Sequence, residues 1–328
     1  MNETKFKKIY SSELKKIEIK LKKVIGNNKP ESLYEPCKYA LESGGKRLRP
    51  FLVLVSAKAV GGKFSDAYNA ALALEILHNF TLIHDDIMDN ASLRRGRPTV
   101  YKKYNSDTAI LAGDSLIAYA YRLLLKDCKS DSINVMNNFT NGIIEVCEGQ
   151  SYDKDFENKK NVTLDEYLLM IKKKTAALAE TCCAIGAEIG GGSKEEIKNL
   201  ASFGRNLGMA FQLQDDLLDV FGDEKKFGKA VGGDLIEGKK TFLFLKAYEN
   251  AKGEDKKELD KFINNNGIKK NQVAKYRNLY LKLNVAEDTK REINKYSNLS
   301  IRAARKVKDE ESRQILEHLV SSLIDRIK

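Results

Sequence analysis

All four prolines of the chain, Pro30, Pro36, Pro50 and Pro98, lie in its first 98 residues, and residues 99–328 contain none. Proline removes a backbone donor and clashes with the preceding helical turn, so its absence permits long uninterrupted helices. The proline-free stretch is also rich in Ala, Leu, Glu, Lys and Ile, which favour or tolerate helix. Period-two alternation is nearly absent. These features predict an all-α chain. Several boundaries are legible. The segment "NVTLDEYLLMIKKKTAALAETCCAIGAEIGGG" opens on a capping box, Thr163 and Glu166, and reads as one helix running to three glycines. Ser193 and Glu196 form a second capping box, and that helix runs to Gly222. Residues 222–241 read as a glycine- and lysine-rich loop, and residues 1–25 as a basic, amphipathic and peripheral helix. No low-complexity linker or solenoid repeat divides the chain, so residues 1–328 read as a single domain.

The apolar stretches are short. "FLVLVSAKAV" at 51–60 is of core-helix length, and no uninterrupted apolar run is long enough to span a bilayer. The N-terminus lacks the apolar stretch of a signal peptide, which predicts a cytoplasmic protein without a transmembrane segment. Cys37, Cys128, Cys147, Cys182 and Cys183 match no zinc or redox spacing and read as small helix residues. A net charge of +11 admits nucleic acid, anionic lipid or phosphorylated small molecules as partners. The lysines are spread along the chain without interleaved aromatics, which argues against nucleic acid.

The chemistry is concentrated in "HDDIMD", residues 84–89. Asp85 and Asp89 are four apart and share a helix face, where like charges repel. The same spacing returns in "QDDLLD" as Asp215, Asp216 and Asp219. Both clusters fall late in apolar helices, where the macrodipole disfavours negative charge. A divalent cation accounts for that cost. Mg²⁺ suits a few carboxylates completed by water and substrate phosphates, so the substrate should be phosphorylated. Cations for it are present: Lys46, Arg47 and Arg49 in "GGKRLRP"; Arg94, Arg95 and Arg97; Lys172 to Lys174 with Thr175; and Lys229, Lys239 and Lys240. Gly204 and Gly208 lie within about 20° of Asp215 on a helical wheel, leaving room for a ligand or for close helix packing. Ala67, Ala71, His78 and Thr81 share the face of the first cluster; His78 is either a ligand-binding group or a satisfied buried histidine.

With those motifs in place, the chain from about residue 35 onward resembles the trans-prenyltransferases, the isoprenyl diphosphate synthase or polyprenyl synthetase family. "GGKRLRP", "LIHDDIMD" with its following arginines, "KT" at 174–175, "FQLQDDLLD" and "GDLIEGKKT" occur in the family's order. The resemblance implies an all-α fold of the isoprenoid synthase type, a single large helical bundle around a central cavity. It also implies a homodimer and Mg²⁺, three ions per active site. The implied reaction joins an allylic diphosphate to isopentenyl diphosphate by ionisation, condensation and elimination of a proton. Carried over by position, Asp85, Asp89 and Asp215 hold metal, supported by Asp86, Asp216 and Asp219. Lys46, Arg49, His78 and Arg95 match the isopentenyl diphosphate site. Arg94, Lys174, Thr175, Gln212, Lys229 and Lys239 match allylic diphosphate contacts, and Lys174, Thr175 and Gln212 also steady the cation.

Product length in the family depends on what blocks the cavity just upstream of the first motif. Phe80 with its small neighbour Thr81 looks most like archaeal-type geranylgeranyl synthases, with farnesyl as the alternative. An ideal wheel places Phe80 about 140° from Asp85 and Thr81 about 40° away, so Thr81 and Leu77 are further candidates for the floor. A terpene cyclase has no need of the cations in "GGKRLRP". A non-catalytic regulatory subunit of a prenyl synthase would tend to have lost one aspartate motif.

Overall fold

The computed structural model describes residues 1–128, 132–222 and 231–324. The chain is all-α, and the only strands among the described residues form one hairpin, β1 (Leu93–Arg94) with β2 (Arg97–Pro98). Contacts divide it into two compact units, one of residues 1–141, 178–201 and 304–318, the other of residues 142–177, 202–303 and 319–328.

The first unit begins with α1 (Glu3–Val24), α2 (Glu31–Leu41) and α3 (Leu48–Ala59), followed by α4 (Tyr68–Met88), the short α5 (Val100–Lys103) and α6 (Ser106–Asp127). Pro30 is the N-cap of α2 and Pro50 lies in the first turn of α3, where proline is tolerated, whereas Pro36 lies inside α2. Helix α4 is the centre of this unit. Every side chain from Ala70 to Leu77 is buried, and the helix packs along α6. The buried side of α6 carries Ala109, Ala112, Gly113 and Ala120, whose small side chains let helices approach closely. Among the described residues α6 alone has the length and composition to cross a membrane, yet Asp114 and Arg122 interrupt it, so it holds no continuous apolar span. That apolarity is spent on the seam with α4, although Leu111 and Leu125 point outward. Helix α1 is basic and amphipathic as expected, but it is not peripheral to the packing, since Phe6, Ile17 and Leu21 are buried.

The second unit contains α7 (Ile133–Asn158) from residue 142, α8 (Leu164–Ile171) and α10 (Lys194–Phe221) from residue 202, followed by the helices Phe242–Asn250, Gly253–Asn264, Val273–Lys282 and Val285–Ala304. Its core holds the stacked rings of Phe244 and Phe262, 4.4 Å between centroids, with Tyr276 and Tyr280 fully buried beside them. Both capping boxes form: Thr163 N donates to Glu166 at 2.9 Å and Ser193 N to Glu196 at 2.9 Å. The helix expected from Thr163 to the glycines runs unbroken over residues 164–189, but its geometry is not uniform. A five-residue π turn, Lys172–Ala176, separates α8 from α9 (Ala177–Ile189). Cys37, Cys182 and Cys183 are buried as expected, while Cys147 is exposed.

Candidate active site

In the first unit three of the expected cations and the histidine lie at or near one loop. Gly44, Gly45 and Arg47 all have positive φ, so the chain doubles back between α2 and α3 and presents Lys46 outward. The β1–β2 hairpin approaches that loop. Its two turn residues, Arg95 and Gly96, both have positive φ, the requirement of a type I′ turn. The turn sends the Arg95 guanidinium to the Gly44 carbonyl and to Ser43 Oγ at 3.3 Å. A Cβ on Gly45 would sit 2.7 Å from that guanidinium, so only glycine allows this approach. Arg49 Nη1 lies 3.1 Å from His78 Nε2 on α4. Arginine can only donate, so Nε2 accepts and the proton sits on Nδ1. Burial, followed by the charges of Arg49, Arg95 and Arg94, pushes the His78 pKa well below the usual imidazole value. His78 is therefore neutral. Arg49 and Arg95 thus lie near neutral His78, and Arg95 also reaches the loop that exposes Lys46.

The other arginines behave differently. Arg47 is buried and donates to Glu18 at 2.7 Å, Glu75 at 2.6 Å and the Leu41 carbonyl at 2.7 Å. Arg97 donates to the Glu42 carbonyl at 3.0 Å and lies 4.2 Å over the Tyr39 ring. Arg94 pairs with Asp86 through Nε and Nη2, both at 2.7 Å. Asp86 is buried, and burial raises its pKa despite that partner. Asp85 is half-buried and Asp89 is exposed as the C-cap of α4. The first motif therefore offers two accessible carboxylates, with the third engaged by arginine.

The second motif lies on the part of α10 in the second unit. Asp215 is half-buried, whereas Asp216 is buried and accepts from Tyr167 Oη and from Gln212 Nε2 at 3.0 Å. Burial, and next the charge of Asp234, pushes the Asp216 carboxyl up to about 8. Asp219 accepts from Asp234 N at 3.0 Å and so fastens the short helical turn Gly233–Ile236. Thr175 Oγ1 donates to Gln212 Oε1 at 2.8 Å, joining the π turn to α10. Lys174 reaches Asp153 on α7 at 2.5 Å. The wide turn is packed between two glycines. A Cβ on Gly149 of α7 would run into the Lys174 backbone, and one on Gly208 would lie 2.6 Å from Ala176 Cα. Close packing is thus the role of Gly208. Lys239 sits 2.8 Å from Glu237 and 3.6 Å from Asp234. Lys240 donates inward to the Phe156 carbonyl at 2.8 Å, and Lys229 lies outside the described residues.

Of the expected floor residues, Leu77 is buried, and Thr81 is half-buried with its hydroxyl donating to the His78 carbonyl at 2.8 Å. Phe80 is buried edge-on against His84, 4.6 Å between ring centroids. His84 in turn lies against Gly113 of α6, so Phe80 belongs to a ring pair on the α6 side of α4.

Sequence reasoning missed Tyr167, Asp153 and Glu75, each of which fixes a residue it had named. None lies in a motif or carries a spacing signal. The hairpin turn at Arg95–Gly96 was not legible, because type I′ turns favour Asn-Gly, Asp-Gly or Gly-Gly and here Arg95 takes the first positive-φ position.

Among the described residues no three acidic, histidine or cysteine side chains converge closely enough to hold a metal by themselves. Hard carboxylate oxygens at Asp85, Asp89 and Asp215 do suit Mg²⁺, an ion that takes few protein ligands and completes its shell from water and phosphate.

A sequence-family model described as polyprenyl synthetase matches residues 30–280. A geranylgeranyl diphosphate synthase of Sulfolobus acidocaldarius is 44% identical over 257 residues, covering 77% of this chain and 78% of the relative. One from Saccharolobus solfataricus is 40% identical over 306 residues, 91% of each chain. The crystal structure of a geranylgeranyl pyrophosphate synthetase from Pyrococcus horikoshii Ot3 superposes with a TM-score of 0.90 at 37% identity, covering 98% of both chains.

Proposed function

Because the chain belongs to the polyprenyl synthetase family, we propose that it condenses an allylic diphosphate with isopentenyl diphosphate as a short-chain trans-prenyltransferase, and that its product is geranylgeranyl diphosphate. One observation carries the reading: the clustering of Lys46, Arg49, neutral His78 and Arg95 around the loop between α2 and α3. A cyclase binds one diphosphate. A cationic cluster separate from the accessible aspartates suits a second one, that of isopentenyl diphosphate.

The residues would divide the work as follows. Lys46, Arg49 and Arg95 hold the diphosphate of the acceptor, the arginines through planar donor pairs. His78 contributes a hydrogen bond without adding charge. Asp85, Asp89 and Asp215 would hold Mg²⁺, which when bound supplies Lewis-acid neutralisation of the leaving diphosphate. Lys174 and Lys239 add point charges for the allylic diphosphate, with Lys229 assigned by sequence alone. Arg94 spends two of its five donors on Asp86 and presents the rest. As the allylic C–O bond breaks, Thr175 and Gln212 turn oxygen dipoles toward the cation; their mutual hydrogen bond fixes both side chains. The double bond of isopentenyl diphosphate then attacks, and a proton leaves to pyrophosphate. Phe80, backed by His84, would close the tail pocket, with Leu77 and Thr81 on the neighbouring turn. The chain acts as one prenyltransferase domain and as a homodimer. The exposed Leu111 and Leu125 of α6 supply an apolar surface for the second copy.

The test is a product assay with isopentenyl diphosphate, dimethylallyl diphosphate and Mg²⁺, the dephosphorylated alcohols being separated by length. A geranylgeraniol peak that disappears on chelation supports the reading. A farnesol peak would shorten the product and leave the reaction intact. Folded protein that makes no product with any allylic primer would replace it with a non-catalytic regulatory subunit.

A further inference from the structure

Helix α1 contains none of the motifs, yet it grips the loop that carries Lys46 and leads into Arg49. The Tyr10 hydroxyl donates to the Lys46 carbonyl. Eight residues further along the same helix, Glu18 accepts from Arg47 Nε at 2.7 Å. Arg47 is the middle cation of "GGKRLRP", but its side chain is fully enclosed, at 0% exposure. Its Nη1 donates to Glu75 of α4 and its Nη2 to the Leu41 carbonyl. It therefore reaches no phosphate.

Its backbone explains what it does instead. Arg47 has φ 46 and ψ 39, the left-handed conformation, which is disfavoured for any residue with a Cβ. Such a conformation persists where the surroundings over-determine it. Here three hydrogen bonds fix the side chain and a fourth, from Tyr10, fixes the preceding carbonyl. The left-handed residue is the N-cap of α3 and sits between Lys46 and Arg49, so its geometry sets the direction of both. The gripping helix is itself anchored. Glu13 is buried and accepts from Tyr68 Oη at the start of α4 and from Lys16 at 2.7 Å. The rings of Phe6 and Tyr10 stack at 5.7 Å, and Tyr10 meets Phe51 of α3 edge-on at 4.9 Å.

We propose that α1 is a positioning element for isopentenyl diphosphate binding: Tyr10 and Glu18 hold the left-handed turn at Arg47 and thereby aim Lys46 and Arg49. This rests on the reading of that cluster given under the proposed function. It assigns no contact with substrate to α1.

The experiment uses the full chain with Tyr10→Phe, Glu18→Gln and the double variant. Condensation is followed with each substrate varied in turn, and binding of isopentenyl diphosphate alone is measured by calorimetry. The double variant should raise the KM and Kd for isopentenyl diphosphate about tenfold, the scale of one or two lost hydrogen bonds. The allylic KM should stay within about twofold and Tm within a few degrees. An unchanged KM and Kd for isopentenyl diphosphate overturns the proposal, as does an equal rise in both KM values, which marks a general loosening. If the double variant fails to fold, the single variants decide by the same readouts. If the wild-type chain binds isopentenyl diphosphate but makes no product, the catalytic reading has failed, and the calorimetric comparison still decides this one.

Discussion

The two aspartate motifs share a spacing and differ in almost everything else. On α4 the middle carboxylate, Asp86, is neutralised by an arginine, and the outer two, Asp85 and Asp89, are accessible. On α10 the middle carboxylate, Asp216, accepts from two neutral donors among the described residues, Tyr167 and Gln212, and its last, Asp219, pins a neighbouring turn. Under the proposed function one motif would act as a two-carboxylate chelate and the other would offer a single ligand, Asp215, beside two aspartates engaged in the structure. Spacing in a helix tells which residues share a face. The partners those residues meet decide whether a carboxylate is charged, accessible and available to a cation.

The largest test of that contrast is functional. Asp85→Ala, Asp89→Ala and Asp215→Ala should each lower kcat/KM by at least about 10²–10³-fold, while Asp219→Ala should not approach that loss. Steady-state kinetics at saturating Mg²⁺ would show it, and near-normal turnover of Asp215→Ala would remove α10 from the metal site. Next in size is the buried pair. Asp86→Ala leaves the Arg94 guanidinium without its carboxylate and should cost about 1–3 kcal/mol in denaturant unfolding. Asp216→Asn keeps the shape and both neighbours, so in chelated protein its cost should be the smaller of the two. The reverse order would mean that Asp216 is held as a charged group. Tyr167→Phe deletes one donor to Asp216 and should cost about 1 kcal/mol, visible as a modest fall in Tm with no change in metal dependence. Smallest of all, Asp219→Asn still accepts from the Asp234 amide and should shift stability by under about 0.5 kcal/mol.

Much of this was legible beforehand. Freedom from proline after Pro98 foretold helices as long as α7 and α10, and both capping boxes start helices where they stand. Of the residues named from motifs, Arg49 meets His78, and Arg95 meets the loop that carries Lys46. What escaped depends on features with no period. The π turn leaves the hydrophobic pattern of residues 164–189 looking continuous, because one wide turn displaces a pattern too little to register in a short window. Arg47 looked like its neighbours because burial is invisible in a run of three cations, and only Glu18 and Glu75, distant in sequence, distinguish it. The apolar seam of α6 escaped because scattered charges break its runs without breaking its face.

The π turn also decides which kinds of change the chain can absorb. The Ala177 amide reaches back five residues to the Lys172 carbonyl, so Lys172–Ala176 holds one residue more than an α turn would. Removing a single residue there would restore ordinary helix and swing everything on one side of it by about 100° relative to the other. Lys174 and Thr175 would lose their alignment with Asp153 and Gln212 even though neither side chain had been altered. At this point the length of the chain is a functional quantity in its own right, and one-residue deletions or insertions should be selected against more harshly than substitutions at the same positions.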